Sequence, residues 1–132
     1  MRMNKEKITL EYPLNFAAEH ILWIMIGSPL GLAEWFSDGV TVEDDLYTFT
    51  WDENDQTARL LETKDGKSIR FQWVEDEGTE AYFEIAIVTQ DLSGNVSLLI
   101  TEYTHPEDLE DLKLMWNKHM DDLKRKVGVG VV

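Results

Sequence analysis

The C-terminal stretch from Thr104 to Gly128 constrains the fold of this chain more than any other segment. Projected as a helix at about 100° per residue, its apolar side chains fall within an arc of roughly 80°. The stripe consists of Leu109, Leu112, Trp116, Met120, Leu123 and Val127. Carboxylates crowd the start of the segment and Lys124, Arg125 and Lys126 crowd its end, as the helix dipole favours. We therefore predict one long helix whose apolar stripe packs against another layer.

Both ends of this predicted helix carry sequence signals. Thr104 stands three residues before Glu107, which is the spacing of a capping box, and Pro106 is tolerated only in a first helical turn. Gly128 supplies the stop. His119 lies on one shoulder of the apolar stripe.

The first third of the chain combines a strand with two helices. Lys7 to Tyr12 alternates apolar and polar residues, which predicts a strand that ends at Pro13. Residues 16–26 form an apolar run too long for a comfortable strand, and the alanines near its start favour a helix. Ser28 then serves as N-cap, with Pro29 in the first helical position, for a short helix through about Phe36.

From Val40 onward the pattern has a period of two, which predicts strands. The predicted strands are 40–43, 46–51, 57–64, 68–74, 79–89 and 95–103. Their connections are short, and Asp65-Gly66 is a strong signal for a two-residue type I′ hairpin. Because such short links leave no room for parallel crossovers, we expect an antiparallel meander.

One face of this sheet is predicted to be apolar and rich in aromatic rings, and the other polar. The apolar face carries Tyr47, Phe49, Trp51, Ile69, Phe71, Trp73, Ala81, Phe83, Ile85 and Ile87. The last strand contributes either Val96, Leu98 and Ile100 or Leu99, Thr101 and Tyr103, and its pattern does not choose between them. A one-sided sheet and one long amphipathic helix predict an α+β sandwich.

Composition narrows the class of protein. The 132 residues, 43% of them hydrophobic, suit a single domain over residues 1–132 with a substantial core. With 26 acidic and 12 basic residues the net charge is −14, which argues against binding to nucleic acids or anionic membranes. We find no signal peptide and no apolar run of the ~18 to 20 residues that membrane insertion requires, so we expect a cytoplasmic protein.

Several short motifs, in this order and spacing, carry a family resemblance. They are Ser28-Pro29, the segment 31–38 (GLAEWFSD), the segment 47–51 (YTFTW), Phe71-Gln72-Trp73, Trp116-Asn117, Leu123-Lys124 and Gly128. With them, the chain resembles the helix-grip fold of the START/Bet v 1-like (SRPBCC) superfamily. It is similar to small START-like proteins related to the activators of the heat-shock-chaperone ATPase.

This resemblance implies a curved sheet wrapped around the C-terminal helix, with a cavity between them. Many relatives hold a lipid, sterol or polyketide there, some catalyse cyclisation, and others bind a chaperone, so the fold alone does not define the function. This chain is shorter than the large lipid carriers, which implies a smaller cavity or one filled by its own side chains.

Ten residues are candidates for lining such a cavity: Trp23, Trp35, Phe49, Trp51, Phe71, Trp73, Phe83, Trp116, His119 and Met120. Aromatic side chains suit an apolar or planar ligand. The alternative is that the same rings fill the core under the helix.

The sequence offers few groups for catalysis. The three histidines, His20, His105 and His119, lack the spacing of metal ligands, and there is no cysteine, so we predict no metal site and no cofactor. His119 is the one candidate for a general base, but a histidine hydrogen-bonded at the edge of the core is the favoured interpretation. Glu84 is predicted to face solvent, and the side on which Glu102 lies stays open.

The sequence therefore favours a non-catalytic START-like module that binds a small apolar ligand or lipid between the sheet and the C-terminal helix. The alternative is a chaperone-activator-like module that docks a basic protein partner through its acidic surface. A polyketide-cyclase-like enzyme is the third and least favoured reading.

Overall fold

The computed structural model of the protein describes residues 5–15, 17–90 and 92–128. Within these ranges, the strands are β1 (Glu6–Pro13), β2 (Gly39–Glu43), β3 (Leu46–Trp51), β4 (Asn54–Lys64), β5 (Ser68–Trp73), β6 (Phe83–Thr89) and β7 (Val96–Thr104). The α-helices are α1 (Glu19–Gly27), α2 (Pro29–Trp35) and α3 (Leu109–Val127). Short 3₁₀ turns lie at Val74–Asp76 and Pro106–Asp108.

All the strands belong to one curved antiparallel sheet in the order β1-β7-β6-β5-β4-β3-β2. Strands β2 to β7 pair with their neighbours in the chain, which confirms the predicted meander. Strand β1 pairs with β7 at one end of the sheet, with Ile8 opposite Glu102. The sheet, the long C-terminal helix and the two short helices after β1 confirm the α+β helix-grip architecture.

Helix α3 buries the predicted stripe. Trp116, Met120 and Leu123 are at most 1% exposed, whereas Leu114 on the opposite side of the helix is 66% exposed. The helix ends at Val127, and Gly128 takes the left-handed conformation with φ of 80°, which confirms the predicted stop. No helix in the described part of the chain has the length and apolar character needed to cross a membrane.

The beginning of α3 differs from the prediction. The hydroxyl of Thr104 donates to the His105 carbonyl at 3.2 Å, and no side chain caps the helix, so the predicted capping box does not form. The reason is that the helical turn begins at Pro106 with His105 as its N-cap residue, so Thr104, the last residue of β7, lies one position too early to cap it. Pro106 occupies the first position of the 3₁₀ turn that leads into α3.

Helices α1 and α2 meet at a tight corner. Ser28 accepts a hydrogen bond from the Gly31 amide at 3.0 Å, which confirms its role as N-cap with Pro29 in the first helical position. A Cβ atom on Gly31 would lie 2.0 Å from the Ile24 carbonyl oxygen, so this close packing requires glycine. Helix α1 begins at Glu19, because Ala18 is extended, and Phe16, the predicted start, lies outside the described residues.

The hairpin at Asp65-Gly66 has a different turn from the one predicted. Lys64 pairs with Ser68, so the loop contains three residues, and the Lys67 amide donates to the Lys64 carbonyl at 2.9 Å. Only Gly66 has a positive φ, 74°, whereas a type I′ turn needs two such residues. The type I′ prediction is therefore wrong.

Strand β6 begins later than the alternation predicts. The Thr79 hydroxyl donates to the Asp76 carbonyl at 2.7 Å and accepts from the Ala81 amide at 3.1 Å, and this turn occupies the predicted start of the strand. The open question about β7 is also settled, because Val96, Leu98 and Ile100 belong to the core.

We expect Trp116→Ala to lower the free energy of unfolding by about 3 to 5 kcal/mol, because it empties a large volume between α3 and the sheet. The matched control Leu114→Ala, which truncates an exposed side chain of the same helix, should change stability by less than about 0.5 kcal/mol. Urea denaturation of the two variants measures both values. Equal effects would contradict the assignment of the buried face.

Candidate functional site

An open cleft of about 800 Å³ lies between the sheet and the first half of α3. Strands β3 and β5 end in Trp51 and Trp73, and β6 begins at Phe83; because neighbouring strands are antiparallel, these termini meet at one end of the sheet. Trp116 and His119 of α3 face the same space. The cleft is thus bounded by aromatic residues from both layers.

The aromatic wall is held by ring contacts and hydrogen bonds. Trp73 stacks on Phe83 with ring centroids 4.7 Å apart, and Trp51 lies 6.3 Å from Trp73. The Trp51 indole donates to the Phe36 carbonyl at 2.7 Å, and the Phe36 ring lies 5.6 Å from that of Trp116. Such contacts fix the orientation of the rings before any ligand arrives.

Glu102 is the buried acidic residue of the cleft. It follows Leu98 and Ile100 at intervals of two along β7, so its side chain points to the core face, and it is only 9% exposed. The Trp116 indole donates to its Oε2 atom at 2.6 Å.

The pKa of Glu102 is raised from its ordinary 4.5 to about 7, chiefly because burial disfavours the carboxylate. Hydrogen bonds from Trp116 and Trp73 and the charge of Lys5 lower the pKa, while the charge of Asp76 raises it. Lys5 is engaged by Asp76, with 2.9 Å between Nζ and Oδ1. Glu102 is therefore partly protonated near neutral pH.

His119 occupies an aromatic environment beside the cleft. It is 7% exposed, its ring centroid lies 5.3 Å from that of Phe36 and 5.5 Å from that of Trp116, and its Nε2 atom has no hydrogen-bond partner. Burial lowers the pKa of His119 to about 4; Asp122 and the Trp35 backbone raise it, and Lys118 lowers it further. The imidazole is therefore neutral at pH 7.

The structure places the ten candidate residues in four environments. Those lining the cleft are Trp51, Trp73, Phe83, Trp116 and His119. Trp35 borders an adjoining pocket of about 260 Å³ that also contacts Trp51 and His119. Phe49, Phe71 and Met120 are fully packed in the core, and Trp23 lies half-buried on α1 beside Gly27, away from the cleft. The rings fill the middle of the sandwich and leave one end open.

Three cleft residues were not among the ten candidates: Glu102, whose side the sequence left open, Phe36 and Lys5. The alternation along β7 could have indicated the position of Glu102. Val96 and Glu102 stand at an even spacing in this strand, so if the Val96 side chain faces the core, the Glu102 side chain does too. Lys5 and Phe36 reach the cleft from distant parts of the chain, so no local pattern marks them. Glu84 pairs with Arg70 at 2.9 Å on the other face of the sheet, as expected for a surface ion pair.

The other histidines differ from His119. His20 is exposed on α1, and His105 lines the cleft with a buried Nδ1 atom that has no partner. In the part of the chain that the structure describes, no three His, Asp or Glu side chains are grouped as metal ligands.

Comparison with known proteins identifies the family. The sequence matches the START-like superfamily domain over residues 2–129. The chain belongs to the START-like superfamily. No functionally curated protein matches it significantly.

Solved structures of relatives share the fold. A Bacteroides fragilis protein solved by NMR is 38% identical, with a TM-score of 0.66 over 94% of this chain and 92% of that one. The Aha1 dimer from Colwellia psychrerythraea is 10% identical, with a TM-score of 0.77 over 96% and 99%. DynU16, a protein from the dynemicin biosynthetic locus, is 13% identical, with a TM-score of 0.72 over 94% and 48%. At such low identity the last two show the fold alone.

The raised pKa of Glu102 predicts a pH-dependent cost in stability. The folded state holds the Glu102 proton more tightly than the unfolded state does. The contribution of Glu102 to the free energy of unfolding therefore falls as the pH rises from about 4.5 to 7 and then levels off. Glu102→Gln keeps an acceptor for Trp116 and removes this loss. We expect the variant to match the wild type near pH 4.5 and to exceed its unfolding free energy by up to about 3 kcal/mol at pH 8.

Denaturant titrations of both proteins across this pH range measure the difference. His119 contributes the opposite trend, since its stabilisation is lost as the pH falls from about 6.5 to 4, but both proteins retain it and it cancels. A difference that does not vary with pH would contradict a raised pKa for Glu102.

Proposed function

We propose that this START-like protein is a non-catalytic binding module that holds a small, largely apolar molecule in the cleft between the sheet and α3. The observation that carries the proposal is the cleft itself, with a volume of about 800 Å³ and walls formed by Trp51, Trp73, Phe83 and Trp116. Ligand sites in proteins have this size and this combination of apolar walls with a few polar groups.

The aromatic walls favour a ligand that contains a ring or another rigid apolar body. Trp51 and Trp73 are half-buried, so a ligand in the cleft would cover aromatic surface that now meets water. Burial of that surface supplies the driving force for binding. The walls are ordered by their mutual contacts, which lowers the entropy lost when a ligand binds.

Of His119 and Glu102, only Glu102 has a pKa suited to acid–base catalysis, and its carboxyl group already accepts a hydrogen bond from Trp116. His119, the residue singled out as a general base, has a pKa of about 4, so it is a weak base at neutral pH. Glu102 has a pKa near 7, and it would be the acid or base of a cyclase-like enzyme, the third reading. Its hydrogen bond to Trp116 also gives it a structural role.

Docking of a protein partner is the second candidate. Leu114 is 66% exposed on the outer face of α3, close in sequence to Glu110 and Asp111, and the chain carries a net charge of −14. An apolar contact within an acidic surface suits a partner with a basic interface. Such a complex should weaken as salt is added, because exposed charge pairs are screened.

Native mass spectrometry separates the two candidates. The gently purified protein, before and after incubation with an extract of lipids and small molecules, is compared with the denatured protein. We expect a reproducible added mass that is lost on denaturation. A mass of the protein alone in both samples would contradict the ligand-binding proposal and favour partner docking.

We expect Trp73→Ala to weaken binding of the captured compound by about tenfold, because it removes one wall of the cleft. The matched control Trp23→Ala truncates a half-buried tryptophan outside the cleft and should leave the affinity within about twofold. Titration of both variants, monitored by native mass spectrometry, measures the ratio. Equal losses in the two variants would contradict binding at this cleft.

A further inference from the structure

We propose that the cleft selects an amphipathic organic cation, that is, an aromatic or similarly apolar body carrying a protonated amine, and that Glu102 is its counter-charge. The inference rests on the proposed function and adds to it the chemical class of the ligand. Three properties of the cleft carry it: the balance of charges along its lining, the unmatched polar atoms inside it and the nature of its walls.

The charge balance of the cleft is negative. Its lining includes five carboxyl side chains, from Asp52, Asp55, Glu75, Glu102 and Asp108, against the ammonium groups of Lys5 and Lys118. Lys5 forms an ion pair with the buried Asp76, so its charge is largely compensated. Together with the net charge of −14, this lining attracts cations into the cleft and repels anions.

Glu102 lacks a cationic partner of its own. Within the described part of the chain, no lysine or arginine forms an ion pair with it. The Trp116 and Trp73 indoles donate hydrogen bonds to it, and Lys5, held by Asp76, acts on it only through its charge. An ionised carboxylate in such a buried position is costly unless a positive charge lies beside it. A ligand ammonium group in the cleft would supply that charge.

The unpartnered Nε2 atom of His119 points to the same class of ligand. His119 is more than nine-tenths buried and lines the cleft, and its Nε2 atom has no hydrogen-bond partner. An ammonium group carries several N–H donors, so it can satisfy an imidazole nitrogen as well as a carboxylate. A ligand carboxylate offers no donor to either residue.

The walls also favour a cation. Tryptophan has the aromatic face that attracts cations best, and Trp51, Trp73 and Trp116 border the cleft. Trp51 and Trp73 are half-buried, so a cation in the cleft can reach their faces while water is partly excluded, which strengthens the cation–π attraction. The same rings accommodate the apolar body of the ligand, so one cleft can bind both parts of an amphipathic cation.

Three probes with one ring system and different charges test the inference. Naphthylmethylamine is cationic at pH 7, naphthylmethanol is neutral and naphthoate is anionic. Isothermal titration calorimetry of the full chain measures their affinities. We expect the amine to bind at least about tenfold more tightly than the alcohol, as one charge-assisted contact in a buried site allows, and naphthoate to bind most weakly.

A pair of identical substitutions locates the counter-charge. Glu102→Gln should bring the ratio of amine to alcohol affinity close to one. Glu84→Gln changes a glutamate on the opposite face of the sheet, where it pairs with Arg70, and should preserve the wild-type ratio.

Proton release gives an independent measurement. Because the raised pKa leaves part of Glu102 protonated at pH 7 and the group ionises beside the bound cation, the wild type should release a measurable fraction of a proton with the amine. Lys5 and Asp76 act on Glu102 with opposite sign. Titrations in two buffers of different ionisation enthalpy measure the release, which should vanish in Glu102→Gln.

The outcomes separate this inference from the proposed function. Equal binding of amine and alcohol by the wild type, tightest binding of naphthoate, or equal loss of amine selectivity in both variants would overturn the choice of a cation and leave the apolar cleft in place. If none of the three probes binds, both proposals are overturned. The wild-type comparison decides the matter without any variant.

Discussion

The burial of Trp116 between α3 and the sheet is the interaction on which the rest of the structure depends. The ring is 1% exposed and packs against Phe36, and its indole N–H needs a partner because it is removed from water. Glu102 on β7 provides that partner at 2.6 Å. One side chain thus attaches the helix by apolar packing and aligns it with β7 by a hydrogen bond, and it forms part of the cleft.

Burial has opposite consequences for the two ionisable groups of the cleft. It raises the pKa of Glu102 to about 7 and lowers the pKa of His119 to about 4, because in both cases the uncharged form is favoured. Near neutral pH His119 is therefore uncharged and Glu102 is only partly ionised, although the rim of the cleft is acidic. Under the proposed function, such a site would accept an apolar body, and a bound cation would draw Glu102 into its ionised form.

The division of the aromatic residues explains how a small START-like chain keeps a cleft at all. Phe49 and Phe71 are fully buried and fill the middle of the sandwich, whereas Trp51 and Trp73 at the strand ends are half-buried around open space. Both expectations from the sequence, a filled core and an aromatic pocket, apply to different parts of one face. The alternation along a strand predicts on which face of the sheet an aromatic side chain lies. How deeply that side chain is buried depends on the helix that packs over it.

Local periodicity determined the helix stripe, the meander and the Ser28-Pro29 corner, because each depends on residues close together in the chain. The tertiary structure decided what depends on distant pairing. Pairing with β1 keeps Thr104 in β7, one position too early to cap the helical turn, and the phase of β7 turns Glu102 inward. The tertiary structure also brings Lys5 and Phe36 to the cleft. The sequence alone thus defines the layers of this protein, whereas the chemistry of its cleft arises from contacts between residues far apart in the chain.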